Sequence, residues 1–240
     1  MMHASPLEEL KALDPDAYEP STAALRQIDN VVMIMAVGPQ GAGKTTVMNE
    51  AIRRSEIELV VGDTSRAPRP GERQGIDNHY RKLEDMLAGV RARQYLQIAK
   101  TPDSTVLYGT RPGQYPQNGI GTKEVYSHAV KKFRTLPFKA IYAAFIVRES
   151  LEGWLEGFKT NTRMMPSEVR QARWKEAIRS HEFAFSDNQM RFVLNDTIEA
   201  AAKRFIQVAD GQKPDDEDIA KTIAHDNYAG LVKILNKSSI

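Results

Sequence analysis

A three-layer α/β fold on a central parallel sheet is predicted by three observations. Val31-Val-Met-Ile-Met-Ala-Val37 is apolar without alternation, which suits a strand covered on both faces, and it runs straight into a glycine-rich loop. A short helix to about Arg54 and the run Ile57-Glu-Leu-Val-Val61 then complete a β-loop-α-β unit. Ala140-Ile-Tyr-Ala-Ala-Phe-Ile-Val147 is a further continuous apolar run and reads as an inner strand.

At 240 residues the chain is long enough to bury a sizeable core, as one domain with appendages. A net charge of +2 with 27% charged residues gives no support for a nucleic-acid or membrane partner, so any basic function must be local. The absence of cysteine excludes disulfides, thiolate metal sites and cysteine nucleophiles. No apolar run approaches the roughly 18 residues of a membrane-spanning helix. Met1-Met2-His3 leads into acidic residues rather than a signal peptide, so a cytoplasmic location is expected.

The loop after the first strand carries the chemistry. Gly38, Gly41 and Gly43 permit backbone torsions closed to other residues, so successive N–H groups can turn inward around a polyphosphate. Gly38-x4-Gly43-Lys44-Thr45 has P-loop spacing. Lys44 would reach the β- and γ-phosphates and Thr45 would offer its hydroxyl to Mg2+, while the next helix points its N-terminus at the anion. The predicted fold is therefore a P-loop NTPase three-layer fold with ATP and Mg2+ as its cofactors.

Residues 1–30 form an N-terminal extension in which Leu7, Leu10 and Leu13 make a helical stripe expected to pack on the domain. Residues 62–75 hold three arginines, two prolines and three glycines and read as a loop, neither helix nor strand. This loop leaves the second strand at its C-terminal end, where ligands sit in open α/β sheets, so Thr64, Ser65, Arg66 and Arg69 make a second anion site. A helix over 83–91, a strand over 95–99, a turn at 107–110 and a helix over 124–133 follow. Ser150 is placed as an N-cap. Residues 159–182 contain six basic residues, including Arg163, Arg170 and Arg173, and read as a mobile basic lid able to bring positive charge over a transferring phosphoryl group. Residues 191–194 supply a last strand and 198–210 a helix. Beyond an acidic linker, an amphipathic helix over 219–236 is expected to dock on its own domain, with a homodimer as the lesser reading.

These pieces, in this order, resemble the guanylate kinase family of nucleoside monophosphate kinases over about residues 31–208. The resemblance rests on Gly38-Pro-Gln-Gly-Ala-Gly-Lys-Thr-Thr46, on Thr64-Ser-Arg-Ala-Pro-Arg-Pro-Gly-Glu72, on Leu107-Tyr-Gly-Thr110, on Phe145-Ile146 through Ser150, and on Val193-Leu-Asn-Asp196. It implies a kinase domain over 31–210, an acceptor-binding region over about 62–110, a lid over about 159–182 and a C-terminal extension over 211–240. It further implies ATP contacts from Gly38, Gln40, Gly41, Ala42, Gly43, Lys44, Thr45, Thr46 and, beside the adenine, Asn195. Arg66, Arg69 and Tyr108 would hold the acceptor phosphate, with Ser65, Asn78, Gln97 and Thr110 on the same acceptor wall. Lys44 and the lid arginines would be catalytic.

The base-reading positions depart from the family pattern. Gly62 stands for its serine, Asn78 for its tyrosine and Gln97 for its guanine-binding glutamate, while Gly121-Thr-Lys-Glu124 is the nearest candidate for its acidic strand. A carboxylate accepts two hydrogen bonds from guanine, whereas an amide offers one acceptor and one donor. The expected activity is phosphoryl transfer from ATP to a nucleoside monophosphate, as the resemblance to guanylate kinase implies, with GMP used weakly or displaced by another acceptor. The alternatives are a kinase for a phosphorylated sugar such as ribose bisphosphate and a non-catalytic phosphopeptide-binding module; the complete Gly-Lys-Thr loop argues against the last.

Overall fold

Burial decides the centre of the fold. In the computed structural model, which describes residues 5–101, 103–163 and 166–237, β1 (Val31–Val37) is buried at every position but one. It lies in a five-stranded parallel sheet of order β2-β7-β1-β8-β9, where β2 is Ile57–Leu59, β7 is Gly119–Glu124, β8 is Ala140–Arg148 and β9 is Met190–Asn195. β8 and β9 run parallel from Ala143 opposite Met190 to Arg148 opposite Asn195. That register brings Asn195 to the strand end. A second sheet of order β4-β3-β6-β5 is made of β3 (Asp63–Thr64), β4 (His79–Tyr80), β5 (Gln97–Lys100) and β6 (Leu107–Thr110).

The chain divides into two compact units. The first comprises the described residues within Met1–Val32, Glu58–Gly121 and Lys131–Ala140. Here α1 (Pro6–Ala12) begins at a capping box of Ser5 and Glu8, with Pro6 in its first turn. Its Leu10 is fully buried against Met86, Leu87 and Val90 of α4 (Leu83–Arg91), with Tyr18 and Tyr95 in the same cluster. The Tyr18 hydroxyl donates to Tyr95 O at 2.8 Å and accepts from Tyr95 N at 3.0 Å, and Lys100 Nζ closes the end of α1 on Leu13 O at 2.6 Å. Leu10 and Leu13 of the leucine stripe thus pack as expected, whereas Leu7 stays 40% exposed.

The second unit comprises Met33–Ile57, Thr122–Val130 and the described residues within Ile141–Ile240. α3 (Lys44–Arg54) packs on α8 (Ile198–Ala209), and α9 (Glu217–Lys237) packs on β9 and on α7 (Ser167–Ser186). α6 (Leu151–Thr162) is capped by Ser150, whose hydroxyl accepts from Gly153 N at 3.1 Å. Trp154 and Phe158 of α6 meet Trp174 of α7 edge-on with ring centroids 5.4 Å apart. The C-terminal helix therefore docks as expected, with Leu231 fully buried in that cluster. No helix among the described residues is long and apolar enough to cross a membrane.

Three sequence expectations change. Glu124 ends a strand instead of opening a helix; helical structure starts only with a 3-10 turn at Ser127–Ala129 and the four-residue α5 (Val130–Phe133). β7 has no strand-like pattern of its own, because an inner position leaves little space: a Cβ on Gly121 would lie 3.0 Å from Val60 Cγ2. The 62–75 loop contributes β3, and the 107–110 turn is β6, since Asp63 and Thr64 pair with Gly109 and Tyr108. Neighbouring strands impose both.

Candidate active site

The phosphate loop takes the shape its glycines allow. Gly38, Gly41 and Gly43 have φ of 137°, 88° and 89°, all in the region that disfavours side chains. Gly43 is the N-cap of α3, which directs that helix's N-terminus into the loop. Asn195, 4% exposed, supports the loop from below by donating from Nδ2 to Ala42 O at 2.8 Å. Thr45 and Thr46 are exposed at the start of α3.

Lys44 is 7% exposed and donates from Nζ to Gly38 O at 2.8 Å and Pro39 O at 2.9 Å. Its ammonium lies 3.2 Å from Glu124 Oε1, and Thr45 Oγ1 donates to Glu124 Oε2 at 3.3 Å. Desolvation pushes the Glu124 carboxyl up, but the Lys44 charge and the hydrogen bonds from Lys44 and Thr45 hold it below the ordinary carboxylate range. The sequence motifs left Glu124 without an assigned place. Its signal was the Gly121-Thr-Lys-Glu124 segment, but only pairing of β7 into the sheet brings the carboxylate to residues about 80 positions earlier. A hydroxyl and a carboxylate oxygen side by side are hard donors that fit Mg2+, which takes most of its remaining ligands from water and phosphate.

In the other unit Arg66 anchors a polar cluster around Glu72. Its guanidinium forks onto Glu72, Nη1 to Oε2 at 2.6 Å and Nη2 to Oε1 at 2.8 Å. Tyr80 donates its hydroxyl to Glu72 Oε2 at 2.8 Å, and so does the Arg69 backbone N–H at 2.7 Å. The hydrogen bonds from Arg66 hold the Glu72 carboxyl at about 2, against burial, and Arg66 is raised in turn. Arg66 Nε is buried without a partner, and the Arg69 side chain is exposed. Ser65 clamps β6: its Oγ accepts from Leu107 N at 2.9 Å.

The base-reading candidates differ in burial. Gln97 on β5 is 5% exposed. Thr110 is fully buried, with its hydroxyl 2.8 Å from the Tyr115 hydroxyl. Tyr108 is half-buried on β6, and Asn78 is half-buried where its carbonyl accepts from Gly75 N at 2.8 Å. Beside Gly62 lies a carboxylate that sequence reading passed over. Asp63, 1% exposed, accepts from Tyr95 Oη at 2.8 Å, Arg111 Nε at 2.9 Å and Gln114 Nε2 at 2.6 Å, with Arg81 Nε at 2.7 Å. Burial pushes its carboxyl up, yet the bonds from Arg81, Tyr95 and Arg111 leave it lowered. This hub fastens β3 to the segments around it.

Of the three arginines expected in a lid, Arg163 and Arg170 line one cavity of about 380 Å3 with Lys159, Phe158 and Trp174, whereas Arg173 donates to Tyr126 Oη at 3.1 Å. Gln40 reaches Asn161 O at 3.5 Å.

No protein-family model matches the sequence. A guanylate kinase of Rubrobacter xylanophilus is 30% identical over 184 residues, covering 73% of this chain and 92% of the relative. The guanylate kinase of Fusobacterium nucleatum is 27% identical over 186 residues, covering 71% and 91%. The solved guanylate kinase of Anaplasma phagocytophilum superposes with a TM-score of 0.55 at 18% identity, over 80% of this chain and 90% of that one, which is a likeness of fold. Fold, phosphate loop and near full-length similarity agree: the chain belongs to the guanylate kinase family.

Proposed function

We propose that the chain transfers the γ-phosphoryl group of ATP to a nucleoside monophosphate, and that guanylate is a poor acceptor. The observation that carries the reading is the contact of Glu124 with both Lys44 and Thr45, which completes the phosphate loop with the carboxylate a magnesium nucleotide needs. An acceptor phosphate oxygen forms the new bond to the γ-phosphorus, the bond from that phosphorus to the β–γ bridging oxygen breaks, and ADP leaves with the electron pair. Loop N–H groups and Lys44 stabilise the charge on the transferring group. Arg66 and Arg69 hold the acceptor phosphate, with the unpartnered Arg66 Nε free to donate. Arg163 and Arg170 add positive charge from the lid. Thr45 and Glu124 would hold Mg2+, which would supply positive charge to neutralise the nucleotide's phosphates.

The acceptor-binding region is 62–110 and the lid 159–182, within a kinase domain over 31–210. Guanylate is disfavoured because Gln97 offers an amide and the Thr110 hydroxyl is engaged by Tyr115. The same two features favour a second reading, a kinase for a phosphorylated sugar, which needs the phosphate grip without a base pocket. ATP consumption measured against GMP, dGMP, AMP, UMP, CMP and ribose bisphosphate tests both. Transfer to a nucleotide other than GMP supports the first and transfer to the sugar alone the second; GMP as the preferred acceptor overturns the statement on guanylate, and no transfer to any overturns the kinase reading.

A further inference from the structure

The tip of the phosphate loop is shaped by α6 as well as by its own glycines. A Cβ on Gly41 would lie 2.6 Å from Phe158 N and 2.9 Å from Gly157 C. Conversely, a Cβ on Gly157 would lie 2.6 Å from Gly41 O. The two backbones touch with no side chain between them, and the Gln40 amide reaches Asn161 O beside the contact. Gly157 sits inside a helix, where its backbone needs no special torsion and where glycine is a weaker former than alanine. Close approach, not local conformation, explains it. α6 cannot retreat freely, because Phe158 is 5% exposed and its ring meets Trp174 of α7 edge-on at 5.4 Å.

We propose that Gly157 is a positioning residue for nucleotide binding: it lets the α6 backbone brace the peptide around Gly41, so that seating of α6 against the loop and binding of ATP are one coupled equilibrium. The inference rests on reading the loop as the ATP site. A methyl group at 157 displaces the Gly41 carbonyl and with it the N–H groups that face the phosphates, while helix propensity improves. Stability and nucleotide affinity therefore move in opposite directions.

The test is calorimetric ATP affinity and ligand-free Tm for the full chain, Gly157→Ala and Gly153→Ala. The atoms nearest a Cβ on Gly153 belong to the side chains of Glu149 and Ser150, not to the phosphate loop, so that variant controls for a methyl group added to the same helix. Gly157→Ala is expected to weaken ATP about ten-fold with Tm unchanged or raised, and Gly153→Ala to change affinity less than about two-fold. Amide exchange of the unmodified chain gives a second readout: ATP should slow exchange across α6 together with the loop. ATP affinity of Gly157→Ala equal to that of Gly153→Ala, an affinity loss matched by a fall in Tm, or loop protection without α6 protection overturns the inference. Failure of the unmodified chain to bind ATP overturns the reading of the loop, and the inference with it.

Discussion

The phosphate loop and the acceptor sheet carry motifs of one family, yet they have departed from it to different extents. In the loop, strand, glycines, Lys44 and Thr45 all agree with the family pattern, and the structure adds Glu124 to them. On the acceptor sheet Arg66, Arg69 and Tyr108 persist while Gly62, Asn78 and Gln97 differ. The difference has a physical basis. Phosphate is gripped by backbone N–H groups and guanidinium forks, for which few residues substitute. A base edge is read by side chains whose donors and acceptors can be exchanged one for another. Drift in an idle domain would damage both kinds of position alike.

The largest test of the comparison lies on the loop side. Lys44→Ala is expected to lower kcat by roughly 10^3-fold, because the ammonium stabilises charge that develops only in the transition state. Its Nζ is bonded to two loop carbonyls rather than packed as a core group, so the fold should persist. Near-normal kcat in this variant would sink the mechanism.

On the acceptor side, Arg66→Ala should lower acceptor kcat/KM by about ten-fold or more, since a charge-assisted bond to phosphate is worth about 1.5–3 kcal/mol. ATP affinity should stay within about two-fold. Equal losses for both substrates would erase the distinction between the two regions.

Arg66 also gives the acceptor side a pH signature. The folded Glu72 carboxyl, at about 2, lies below its ordinary value of 4.5. A lowered folded pKa contributes stability that is complete above the unfolded value and is lost as pH falls through the folded one, here from 4.5 down to about 2. Glu72→Gln should therefore reduce unfolding free energy at pH 7 by about 2 kcal/mol, allowing for partial exposure, and flatten the acid slope. Urea unfolding at pH 7 and at pH 3 reads it; an unchanged slope would mean Arg66 gains nothing from this carboxylate.

What the sequence reveals follows how locally each feature is encoded. β1, α3, α4, β8 and α8 are legible because their burial repeats along their own residues, and the phosphate loop because its chemistry is contiguous. β3, β6 and β7 are strands only because neighbours pair with them, so short polar stretches such as Gly121-Thr-Lys-Glu124 give no periodic signal. Glu124 and the Asp63 hub were hidden for the same reason. Their partners are supplied by the fold from distant segments, Thr45 and Lys44 for one and Tyr95, Arg111 and Gln114 for the other.

The finest test changes the reader of the base without touching the grip on phosphate. Gln97 is 5% exposed on β5 opposite Thr110, so a base edge placed against it would be cut off from water. There an amide matches guanine's N1–H and amino group with one acceptor and one misdirected donor, and a poorly matched buried group costs about 1–3 kcal/mol. Gln97→Glu restores a second acceptor and a charge, at the expense of desolvating that charge. The gain is therefore expected near the lower bound: kcat/KM for GMP should rise about five- to ten-fold, with AMP, UMP and CMP falling or unchanged. The measurement is kcat/KM for the same acceptor panel in both proteins. Strong GMP selectivity already present in the unmodified chain, and indifferent to the substitution, would show that the acceptor sheet reads its base as the rest of the family does and that the two regions have not diverged in function.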